Sequence, residues 1–163
     1  MTTKNRRVSS ANRQWFVHSI RTALAAIVSL VVARVVRMPE AYWAAITTLI
    51  VMQSTLGAAL AVSWKRLVGT ALGVLVGALV TTWLPRNAFV FGSVVFVVGM
   101  LSAALRLDRT AYRFASITLA IVMLIAHSEP VWKVAIHRFV EVSVGIVVGL
   151  VLTAVWPEPG ATT

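Results

Sequence analysis

Cysteine is absent from this chain, which excludes disulfides, thiolate metal sites and thiol catalysis. Acidic residues are scarce: five Asp and Glu stand against fifteen Lys and Arg, for a formal net charge of +10. No two acids lie close together within an apolar run. HExxH, GxSxG and a phosphate-binding loop are missing, and His18, His127 and His137 are too scattered to form a ligand set. No enzyme, metal or cofactor is therefore expected. Charged residues of either sign make up 12% of the chain, about half the share usual in a soluble domain.

What is present is apolar. Hydrophobic residues are 59% of the 163, and the mean hydropathy is +0.87. A small soluble fold keeps too much surface to hide that many apolar side chains. The expected class is an all-α, polytopic membrane protein forming one block, with the lipid bilayer as its first partner. In a soluble protein the basic excess would point to nucleic acid. Here the cations cluster at the ends of apolar runs, which is the pattern of membrane topology and anionic headgroups. No nucleic-acid partner is expected. The first apolar run is followed by several more, so it does not read as a cleaved signal peptide.

Six runs approach the roughly 20 residues a transmembrane helix needs. They cover about 16–36, 42–62, 66–84, 88–105, 111–126 and 134–156, with Pro85 and Pro157 as stops. Residues 1–15 form a basic cytoplasmic N-terminal segment, of which 1–12 are expected to be disordered or to lie on headgroups, and 158–163 form a short tail. With the N-terminus inside, the cytoplasmic face holds Lys4, Arg6, Arg7, Arg13, Arg21, Lys65, Arg66, Arg106, Arg109 and Arg113, and the other face holds Arg34, Arg37, Arg86, Lys133 and Arg138. This asymmetry favours both termini in the cytoplasm.

The third and sixth runs resemble each other. A shift of 72 places Arg66 on Arg138, Gly73 on Gly145, Gly77 on Gly149, Thr81 on Thr153 and Pro85 on Pro157. A shift of 71 places Ile46-Thr47 on Ile117-Thr118 and Ile50-Val51-Met52 on Ile121-Val122-Met123. Three helices per copy is an odd number, so the expected plan is a 3+3 inverted-topology repeat, common among secondary transporters.

Residues 42–73 carry Tyr42-Trp43, then Val51-Met52-Gln53-Ser54, then Arg66-Leu67-Val68-Gly69-Thr70-Ala71-Leu72-Gly73. This stretch resembles the membrane module of the fusaric acid resistance and aromatic acid exporter family. The resemblance implies a six-helix block of the bacterial inner membrane that exports organic anions, coupled to protons. The block is also similar to that of the plant malate-channel family, which pairs into dimers around basic pores. Larger members of the exporter family carry a cytoplasmic domain or a second membrane block. Ending at Thr163, this chain is expected to self-associate, as a dimer, or to join a partner subunit.

Several residues have two readings. Arg66 is an interfacial anchor or a guanidinium that holds a carboxylate bidentately, and its counterpart Arg138 shares the ambiguity. Glu141 takes the place of Gly69 in the second copy. It can share a helix face with His137 and Arg138, as an ion pair or as a proton-coupling carboxylate. Gln53 either binds substrate or bonds across helices. Tyr42 and Trp43 are belt aromatics or stacking contacts for an aromatic acid. Gly69, Gly73, Gly77, Gly145 and Gly149 recur at GxxxG spacing, which lets helix backbones approach closely; packing of the third helix on the sixth, or on another chain, is expected. Two functions follow: an organic-anion exporter or channel, and a non-transporting scaffold acting through helix association.

Overall fold

In the computed structural model, the described residues are 3–125 and 129–156, with side chains from Trp15 onward. They form six α-helices and no strand: α1 (Thr3–Val35), α2 (Tyr42–Val51), α3 (Leu56–Trp83), α4 (Ala88–Ala104), α5 (Arg109–Leu124) and α6 (Val131–Val155). Three stretches are long and apolar enough to cross a membrane unaided: Trp15–Val35 within α1, all of α3 and all of α6. The other helices are shorter, at 10 residues for α2, 17 for α4 and 16 for α5.

The helices differ from the expected runs in identifiable ways. α1 reaches back to Thr3, so the basic segment, expected to be disordered or to lie on headgroups, is helical. The expected run 42–62 breaks after Val51: Met52 leaves helical geometry at φ −59°, ψ 112°. Polar Gln53, Ser54 and Thr55 follow, residues that offer the backbone alternatives to a helical ladder. Thr55 then caps α3, its Oγ1 accepting from the Ala58 amide at 3.2 Å. Asn87 caps α4 in the same way through Val90 at 2.8 Å. His127, Pro157 and the tail lie outside the described residues.

Two turns share one design. After α1, Arg37 sits at φ 58°, and after α4, Arg106 sits at φ 54°. Met38 N–H donates to the Ala33 carbonyl and Leu107 N–H to the Ser102 carbonyl, both at 2.9 Å. Each is a helix end closed by a left-handed residue and a six-to-one bond, with an apolar residue following. These turns fold α1 onto α2 and α4 onto α5.

The chain divides into two compact units: residues 1–62 with 144–163, and residues 63–143. In the first, α1 buries a stripe of Arg21, Ala25, Ser29 and Ala33 at four-residue spacing. Ala33, Ala41 and Ala44 form a small core with Leu30, Met38 and Val144 around it. In the second, Val94 and Val98 of α4 meet Ala115, Leu119 and Met123 of α5. Val74 and Ala78 of α3 meet Val122 and Ala135. Leu75, Leu79, Phe96 and Val147 are among many large apolar side chains left exposed, far more than a water-facing surface tolerates. In lipid these faces gain nothing from burial, so association rests on close packing of small residues and on polar bonds.

Candidate functional site

The basic pair Lys65-Arg66 does not head a helix. It falls within α3, with Arg66 about 15 Å along its axis from Leu56 at the helical rise. Adjacent helix positions point about 100° apart, and the two side chains part accordingly. Lys65 turns outward and pairs with Asp108 at 2.6 Å, which occupies the carboxylate that would otherwise cap α5. Arg66 turns inward and is 3% exposed.

Around Arg66 the second unit gathers charge. Its guanidinium carbon stands 4.6 Å from the centre of the Phe114 ring on α5, within cation–π range. Arg138 of α6 is close enough for the two positive charges to repel. Arg138 in turn pairs with Glu141 at 3.5 Å, and both side chains are almost fully buried. Burying such groups is costly unless they are paired, and the pairing of Arg138 with Glu141 offsets part of that cost. The structure thus brings together three sequence candidates: Arg66, Arg138 and Glu141. His137 is half-buried.

The remaining candidates belong to the first unit. Tyr42 is half exposed, its ring 5.6 Å from that of Trp43. Gln53 uses its side chain locally, donating to the Ile50 carbonyl at 3.3 Å. Its own carbonyl accepts from Arg21 Nη2, while Arg21 Nη1 donates to the Trp156 carbonyl at 2.8 Å. Arg21 is fully buried. It ties together the carboxyl ends of α2 and α6, where helix dipoles favour a cation. Its position in the cytoplasmic cluster gave no hint of this. The available signal was the stripe of small residues that follows it at four-residue spacing.

The glycines serve close approach, but α3 does not use them to meet α6. A methyl group on Gly73 would lie 2.8 Å from Thr118 Cβ and against the Ala115 carbonyl, and Gly69 and Gly77 also face α5. A methyl group on Gly145 would lie 2.7 Å from Thr47 Cβ and against the Ala44 carbonyl, and Gly149 faces Val51. These contacts correspond residue for residue under the shifts of 72 and 71. In each unit the contacting residue numbers rise together along both helices, so α3 runs parallel to α5 and α6 runs parallel to α2. Thr48 Oγ1 strengthens the second pair by donating to the Gly145 carbonyl at 2.9 Å.

Apolar helices with lipid-type outer faces and a few buried, paired charges define a helical membrane protein. Residues 24–152 match the model described as Fusaric acid resistance protein-like, and the chain belongs to that family. It is 26% identical over 152 residues to the inner membrane protein YeeA of Escherichia coli (strain K12). The match covers 87% of this chain and 41% of that protein, so the chain spans less than half of its relative's length. No solved structure matches it.

Proposed function

We propose that the chain forms the membrane block of a transporter or channel for organic anions in the bacterial inner membrane, with both termini cytoplasmic. The observation that carries this reading is the buried cluster of Arg66, Arg138 and Glu141. Two cations and one acid leave a formal excess of one positive charge, which a single carboxylate offsets. A guanidinium offers the planar fork that fits a carboxylate. Family membership and the inner-membrane relative support the same reading.

The architecture we infer is six spans in a 3+3 inverted repeat. Its support is the pair of matching turns at Arg37 and Arg106 and the equivalent glycine contacts. In such plans substrate sites form from discontinuous helices, and the break between α2 and α3 at 52–55 is of that kind. Glu141 is the coupling carboxylate, taking up a proton as Arg138 exchanges its partner for substrate. An aromatic acid would find Phe114 beside Arg66. The functional particle is a dimer or includes a partner subunit.

Purified chain in liposomes, tested with radiolabelled aromatic and aliphatic acids under a proton gradient, decides the matter. Uptake of at least one acid is expected, reduced roughly tenfold or more in Arg66→Ala, as for loss of a charge-assisted hydrogen bond. No flux, together with a stoichiometric co-purifying protein, would instead identify a scaffold.

A further inference from the structure

Hydroxyl groups inside these helices fall into two sets. Thr82, Ser93, Ser102, Ser143 and Thr153 each donate to the carbonyl four residues earlier, at 2.7 to 3.0 Å. Thr48 does so as well. This is how a hydroxyl in an apolar helix ordinarily satisfies itself. Thr22, Ser29, Thr81 and Ser116 have no hydrogen-bond partner, and neither do Ser63 and Thr70, the two that flank Arg66 on α3. The hydroxyls of Ser63 and Thr70 are buried, and the residues are 4% and 0% exposed. In a membrane protein no bulk water relieves a buried polar group.

Their position is specific. Ser63, Arg66 and Thr70 stand at i, i+3 and i+7 on α3, one face of a helix. One hydroxyl lies about a turn before the arginine and the other about a turn after it. All three residues belong to the same unit as Arg138 and Glu141. Each hydroxyl is a donor able to bond an anionic oxygen, and such charge-assisted bonds are stronger than neutral ones.

We propose that Ser63 and Thr70 are ligating residues for the anion held at Arg66, each donating its hydroxyl to an oxygen of the bound oxyanion. The proposal rests on the transport reading above and extends its site along α3. Neither position is retained in the second copy, where Ala135 and Val142 stand in their places. The oxygen-binding stripe therefore belongs to α3 alone, and binding is unequal between the two halves of the repeat.

A structural hydroxyl and a ligand-binding hydroxyl respond oppositely to removal. Thr70→Val keeps the volume and deletes the hydroxyl. If Thr70 waits for a ligand, the ligand-free protein is as stable or more so, because a buried group without a partner has been removed. Affinity meanwhile falls about tenfold, the cost of one hydrogen bond to a charged group. The test uses the full chain in lipid nanodiscs, with binding and liposome flux of radiolabelled benzoate and acetate, and thermal midpoints without ligand.

Thr70→Val and Ser63→Ala should each weaken binding of at least one of these acids about tenfold without lowering the midpoint. Thr70→Ser, which restores the hydroxyl, should recover most of the affinity. Thr48→Val, which removes a bonded hydroxyl, should lower the midpoint and spare affinity. Unchanged affinity in both Thr70→Val and Ser63→Ala overturns the proposal, whatever the midpoint. So does a Thr70→Ser variant that binds as poorly as Thr70→Val. Binding that depends on Arg66 but not on the hydroxyls sinks this inference and leaves the transport reading standing. Absence of binding and flux for every acid tested sinks both.

Discussion

A methyl group on Gly73 or Gly145 would press into a backbone carbonyl of the neighbouring helix. Neither carbonyl can move without shifting its whole helix. Overpacking of this sort costs about 1–3 kcal/mol, so Gly73→Ala and Gly145→Ala should each lower the thermal midpoint in detergent. Because the two glycines meet equivalent partners, their losses should be of similar size. Gly92 of α4 has open space where a methyl would go. Alanine there only limits backbone freedom, and Gly92→Ala should stabilise by up to about 1 kcal/mol. A Gly92→Ala loss as large as that of Gly73→Ala would show that the glycines act through helix propensity and not through close approach.

At the scale of elements, the ends of the helices carry the polar chemistry. Arg21 joins the carbonyls of Gln53 and Trp156, so the short α2 is held at its carboxyl end by a side chain from α1. Arg21→Ala leaves two part-buried carbonyls without this donor, at up to about 1–3 kcal/mol each. It should unfold the chain at a markedly lower temperature, with Arg21→Lys falling between, because an ammonium lacks the fork that reaches two carbonyls. An Arg21→Ala midpoint equal to that of the natural sequence would remove this tie from the account. Much of this layer was readable in advance. The stop at Pro85 and the correspondence of the third and sixth runs both stand in the residue types. Two things did not. Gln53-Ser54-Thr55 looks like polar decoration on a long apolar run, because a hydropathy window averages over four residues. The glycines announce a close contact but not its partner, since smallness says nothing about which helix arrives. Arg66 and Arg138 were legible as a pair, but their burial with Glu141 was not, because charges at the edge of an apolar run ordinarily reach water.

For the molecule as a whole, the direction of the helices constrains the path of the chain through the bilayer. Within residues 63–143, α3 and α5 run parallel, and Lys65 near the start of that segment meets Asp108 just before α5. After reaching Trp83 at its far end, the chain must therefore return along α4 to the level of Lys65 before α5 begins. The 17 residues of α4 rise about 26 Å, close to the roughly 30 Å of the hydrocarbon core. On the proposed six-span architecture, Pro85 and Leu105 lie at opposite ends of one crossing. The absence of cysteine makes this directly measurable, because a single introduced thiol has no background. In intact cells, a membrane-impermeant maleimide should label Pro85→Cys, while Leu105→Cys should react after the membrane is opened. Labelling of both from outside would mean that α4 does not cross. The inverted repeat would then fail, since its second copy would enter the bilayer from the same side as the first.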